Sequence, residues 1–261
     1  MSPRLAARRG LLLGMVILPL ALAGCAKSVS DTDPVITGAI AHPVTQADFA
    51  QAVVFWGQRY NANSKDREAA LNYASALQRT SQSAQALVVL QATLINFPGD
   101  REVMAALGKG FAAVGNFDQA LAMLHAAEDP THPDWKLMSA EGAILDQSGQ
   151  YDQARKLYDQ ALALAPNDPS ILSNYGMSYV MTGDLAMAEK MLRKALAQPD
   201  ADGRVRQNLA LVVGLEGRYD EAQKIASADL SPDQAAANIA YLKQMMSQQN
   251  SWQALKAGKT S

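Results

Sequence analysis

The sequence contains one cysteine among 261 residues. A lone thiol closes no internal disulfide, and a tetrahedral zinc site needs several sulfur or imidazole ligands. A disulfide framework and a cysteine-built metal centre are both excluded. Aromatic residues make up only 6% of the chain. Strand-type residues never alternate over a long run, which argues against a sheet. No block of Lys and Arg occurs, so nucleic-acid binding lacks its electrostatic footprint. No G-x-S-x-G and no phosphate loop is present, and His42, His125 and His132 lack metal-ligand spacing such as H-x-x-x-H. These absences lead us to expect no catalytic residue, no metal, no cofactor and no small-molecule substrate.

What is present begins with the residues around that cysteine, LALAGCAKS. Arg4, Arg8 and Arg9 precede an apolar stretch from Leu11 to Leu22, broken by Gly14 and Pro19. The stretch is shorter than the roughly 20 residues of a membrane span. A charged start, a short apolar run and the small residues Ala23 and Gly24 describe an export signal over 1–24. Leu22-Ala23-Gly24-Cys25 resembles the bacterial lipobox. The resemblance implies cleavage before Cys25 and acylation of that residue. An ordinary export signal with an incidental Cys25, and a short uncleaved anchor, are the alternatives. Lipoproteins held at the inner membrane usually carry Asp after the cysteine. Here Ala26 follows, which implies the periplasmic face of the outer membrane.

The signal takes three of the 23 basic residues and none of the 25 acidic ones. The mature chain then has 20 basic against 25 acidic side chains, a net charge of about −5. Alanine is abundant, and the reading is an all-α protein. An internal repeat sets the register. Ala74, Gly108, Gly142, Gly176 and Ala210 lie 34 residues apart, and all are small. The same step joins Ser81, Gly115, Gly149, Gly183 and Gly217, and again Ala86, Ala120, Ala154, Ala188 and Ala222.

This period and pattern resemble the tetratricopeptide repeat, a helix-turn-helix unit. The clearest copy is Trp135 to Asp168, with Gly142, Leu145, Gly149, Ala154, Tyr158, Ala161 and Pro166 at the motif positions. The resemblance implies a solenoid of antiparallel helix pairs with repeats at 67–100, 101–134, 135–168 and 169–202. A fifth, at 203–236, is degenerate: Ala226 replaces a large residue and Asp229 a small one. A helix from Gln46 to about Tyr60 reads as the first cap. Ser231-Pro232-Asp233-Gln234 opens a closing helix with Ile239, Leu242, Met245 and Met246 at helical spacing. Residues 25–45 read as a lipidated Cys and flexible tether, 46–247 as the repeat domain, and 248–261 as a disordered tail.

With no chemistry in view, a binding surface remains. In such repeats the first helices line a groove. Asn72, Asn174 and Asn208 stand where family members hydrogen-bond a bound peptide's backbone. Met177, Val180 and Met181 of the fourth repeat meet Leu211 and Leu215 of the fifth. We expect Asn174, Met177, Val180, Met181, Asn208, Leu211 and Leu215 to form a partner-binding groove, either open or covered by the closing helix. Methionines suit adaptable recognition of a helix or peptide. Arg204 to Ala226 (RVRQNLALVVGLEGRYDEAQKIA) and Asp229 to Met245 (DLSPDQAAANIAYLKQM) resemble the C-terminal part of TadD, a lipoprotein family of the tight-adherence (Flp) pilus system. Asp134 to Ala154 fits it too. The resemblance implies a pilotin-like adaptor whose partners are the pilus secretin or other Tad assembly proteins, anchored in the outer membrane by lipid. A subunit of the β-barrel assembly machinery is the alternative within the same class, and a cell-envelope enzyme the alternative from another.

Overall fold

The computed structural model describes residues 46–256, with side chains described over 47–248. The export signal, Cys25 and the tether lie outside the described residues. Among the described residues the chain forms twelve α-helices and no strand, the expected all-α array. α1 (Gln46–Ala62) precedes five helix pairs. These are α2 (Arg67–Arg79) with α3 (Ser83–Asn96), α4 (Arg101–Ala113) with α5 (Phe117–Ala127), and α6 (Trp135–Gln147) with α7 (Tyr151–Leu164). Then come α8 (Pro169–Met181) with α9 (Leu185–Leu196) and α10 (Gly203–Leu215) with α11 (Tyr219–Ala226). α12 (Pro232–Lys256) closes the array.

Each of the five first helices starts on an aspartate. Asp66, Asp100, Asp134, Asp168 and Asp202 keep the 34-residue spacing, and each carboxylate accepts a first-turn backbone N–H at 2.7–3.1 Å. A helix N-terminus has unbonded N–H groups and a positive dipole end, so a carboxylate suits it on both counts. The turn inside each pair needs positive φ. Ser81 has φ 62° and Gly115, Gly149, Gly183 and Gly217 have φ 80–84°. Glycine takes this conformation without a Cβ clash.

The pairs cross closely because small residues meet there. Ala86, Ala120, Ala154, Ala188 and Ala222 are fully buried. A methyl group added at Gly142 would come within 2.8 Å of the Tyr158 ring, and one at Gly176 within 2.9 Å of Leu192 Cγ. Large side chains such as Leu77, Leu90, Leu124, Tyr158, Leu192 and Leu209 fill the space around the crossings. Burying each contributes roughly 1.5–3 kcal/mol. The core runs along the array as successive clusters, as stacked repeats require.

Successive first helices, α2, α4, α6, α8 and α10, approach one another, while successive second helices do not. The first helices therefore form the inner layer of a curved stack. In the fifth pair, α11 has eight residues.

α12 packs on α10 and α11 through Ala235, Ile239 and Leu242. Two expectations change here. Met245 is exposed and only Met246 is half-buried. At 100° per residue, Met245 lies far round the helix from Ile239. The tail expected from Gln248 is helical through Lys256. Residues 248–256 contain no Gly or Pro and include the helix formers Gln, Ala, Leu and Lys.

Candidate partner-binding groove

α8 and α10 are neighbours in the inner layer and carry all seven expected groove residues. Asn174, Met177 and Met181 recur at helical spacing on α8, as do Asn208, Leu211 and Leu215 on α10. Leu211 is 36% exposed, and Met177, Met181 and Leu215 are half-buried. The closing helix does not bury this strip. It seats Leu242 against Gly214, and its Ile239 joins the core beside Val212 and Val213. Val180 behaves differently. It packs against the cluster of Leu192, Leu209 and Val213, so much of it belongs to the joint between repeats.

The asparagines are partly committed. Asn174 Nδ2 donates to Ser139 Oγ at 3.0 Å, and Asn208 Nδ2 donates to Ser173 Oγ at 3.0 Å. Each bond ties a repeat to the one before it, and the amide oxygens remain as acceptors. Beneath the same layer, Asp146 accepts from Ser178 Oγ at 2.7 Å and from the Tyr158 hydroxyl at 2.9 Å, joining α6, α7 and α8. Burial raises the Asp146 carboxyl above its ordinary value, and the two hydroxyl bonds oppose that. Burial also pushes the Tyr158 phenol up.

Two features were not expected from the sequence. An apolar cleft of about 560 Å³ lies away from the groove, between α3 and α5, with Leu94, Ile95, Phe111 and Met123 in its wall. At the end of α5, His125 Nε2 lies 3.0 Å from the buried Glu141 Oε1, and His125 Nδ1 lies 3.6 Å from Glu128 Oε1. Burial raises the Glu141 carboxyl, with His125 opposing. Spacing rules missed this cluster because it spans a loop. The 34-residue register carries the signal: Glu141 stands in line with Tyr73, Leu107, Tyr175 and Leu209.

Residues 105–169 and 145–212 each match a tetratricopeptide-repeat model. The matched helix pairs, from α4 to α9, are tetratricopeptide repeats, and the pairs on either side keep the same 34-residue register. Proteins built of them bind protein partners along extended repeat surfaces, and the repeats are typically non-catalytic scaffolds. A tetratricopeptide repeat protein from Parabacteroides merdae superposes with a TM-score of 0.67 at 14% identity, over 76% of this chain and 79% of that one. PilW, described as a widely conserved type IV pilus biogenesis factor, gives 0.58 at 18% identity, over 77% and 91%. TTC0263, a thermophilic repeat protein of Thermus thermophilus, gives 0.57 at 24% identity, over 64% and 91%. At such identities the likeness is one of fold. No curated protein matches the sequence.

Proposed function

We propose that this chain is a lipid-anchored adaptor at the periplasmic face of the outer membrane. It supports assembly or placement of the secretin of a tight-adherence pilus through protein–protein binding. The observation that carries the adaptor reading is the partly exposed apolar strip of Met177, Met181, Leu211 and Leu215 on two adjacent inner helices. Apolar patches on the inner face of a repeat stack mark interaction sites. The TadD-like stretches at Arg204–Ala226 and Asp229–Met245 favour the pilus system, and PilW, a pilus biogenesis factor, shares the fold. The membrane assignment rests on Leu22-Ala23-Gly24-Cys25. A partner segment suited to this strip is helical or extended, with apolar anchors and few charges.

Leu211→Glu with Met181→Glu tests the site. The double variant should keep its helical circular dichroism and lose capture of the secretin by at least tenfold, since two or three buried apolar anchors dominate a moderate affinity. A folded variant with unchanged capture moves docking to another face. Deletion of the gene that leaves secretin multimers and pili normal overturns the pilus reading itself.

A further inference from the structure

The second repeat joins the third through the longest linker between repeats among the described residues. α3 ends at Asn96 and α4 starts at Arg101; α7 ends at Leu164 and α8 starts at Pro169. α5, by contrast, ends at Ala127, and α6 starts only at Trp135. Here the linker covers 128–134, against 97–100 and 165–168 at those two joints and 197–202 between α9 and α10, and α5 has 11 residues against 14 in α3 and α7. One core position and one partly buried position also change character at this joint. Tyr73, Leu107, Tyr175 and Leu209 occupy one register position in the other four repeats, and all are buried. In the third repeat that position is Glu141, only 6% exposed. Leu94, Leu162, Leu196 and Leu230 occupy the other position, and in the second repeat it is Glu128. The two carboxylates that replace these apolar residues meet at one imidazole, His125.

A carboxylate in place of a core leucine is costly unless a charge or a metal compensates it. The His125 imidazole offers Glu141 one hydrogen-bond partner, and a divalent ion between them would supply a larger compensating charge. One ligand atom from each of His125, Glu128 and Glu141 lies within 4.8 Å of the other two. Two ligands about 2.0–2.2 Å from one tetrahedral ion sit roughly 3.4 Å apart. The 3.0 Å separation of His125 Nε2 and Glu141 Oε1 is close to that edge. Glu128 is exposed and lies on the other side of the ring, its Oε1 3.6 Å from Nδ1, so a shared ion requires its side chain to turn toward Nε2.

We propose that His125, Glu128 and Glu141 bind a divalent first-row transition-metal ion that clips the second repeat to the third. One imidazole and two carboxylates suit Zn²⁺ and its neighbours, whereas Ca²⁺ prefers six to eight oxygens. A fourth position stays open to water. The site is independent of the groove on α8 and α10, and its test needs no pilus partner.

The probe is Zn²⁺ added to the chelator-stripped full chain in detergent, followed by calorimetry and thermal melting. One equivalent should bind, and the melting temperature should rise with Zn²⁺ concentration, because an ion that binds only the folded state stabilises it. Glu141→Gln and His125→Ala should each weaken binding at least tenfold, in line with the sensitivity of metal sites to their ligand shells. Glu141→Gln removes a buried charge, so it should fold at least as well as the parent without metal. His132→Ala is the control, since His132 sits in the same loop beside Asp129. No binding at about 100 μM Zn²⁺, a concentration that fills a site with a Kd of about 10 μM or tighter, overturns the proposal. Binding retained in both ligand variants, or displaced equally well by Ca²⁺, overturns it too.

Discussion

Ala154 is fully buried where α6 crosses α7, in contact with the cluster that holds Tyr158 and Ile171. Ala154→Leu should overpack that crossing and cost about 1–3 kcal/mol. Gln150, at the turn before α7, is exposed, and Gln150→Leu should shift the melting curve far less. Equal shifts would contradict the helix-crossing role of Ala154. Residues of this kind were legible in the sequence, because a period of 34 makes each position its own control. The same counting picks out Gly149, whose φ is 80°. Glu141 was legible only against the other repeats, since nothing local distinguishes it from a solvated helix charge. The bond from Asn174 to Ser139 was not legible at all. It depends on how far two helices rotate about each other, and no spacing within one helix encodes that.

At the scale of elements, α12 closes the array by seating one apolar face on the fifth pair. Its seating is fixed by Leu242 over Gly214 and by Ile239 beside Val212 and Val213. The absence of a side chain at Gly214 makes the seat. A buried isoleucine cut to alanine loses both transfer energy and packing, so Ile239→Ala should cost about 2–4 kcal/mol. Tyr241, exposed on the other side of α12, should tolerate alanine with little change in melting. Because each repeat leans only on its neighbours, the loss should appear first as fraying of α10 to α12 in hydrogen exchange, with α2 to α5 still protected. Uniform loss of protection would mean that the array unfolds as one unit. The same local logic explains why the sequence placed α11 as degenerate. Ala226 stands in the register of Leu124 and Tyr158, and a smaller side chain gives the helix less to hold it.

At the scale of the whole molecule, the proposed function needs the groove and the anchor to act together. Stacked repeats supply an extended surface, and lipid at Cys25 would confine it to the membrane where a secretin assembles. One acyl chain gives only marginal binding, at roughly 0.8 kcal/mol per buried methylene, while two or more hold a protein stably. Cys25→Ser should therefore move the protein from the outer-membrane fraction to the soluble periplasmic fraction, and radiolabelled palmitate should enter the parent but not the variant. The two measurements separate the possibilities. An ordinary export signal with an incidental cysteine leaves the parent soluble and unlabelled. An uncleaved apolar anchor at Leu11–Leu22 keeps the variant in the membrane. Attachment through the secretin alone also keeps the variant in the membrane, but is lost in cells that lack the secretin. Only an acylated Cys25 gives a labelled, membrane-bound parent whose single hydroxyl-for-thiol exchange releases the whole array.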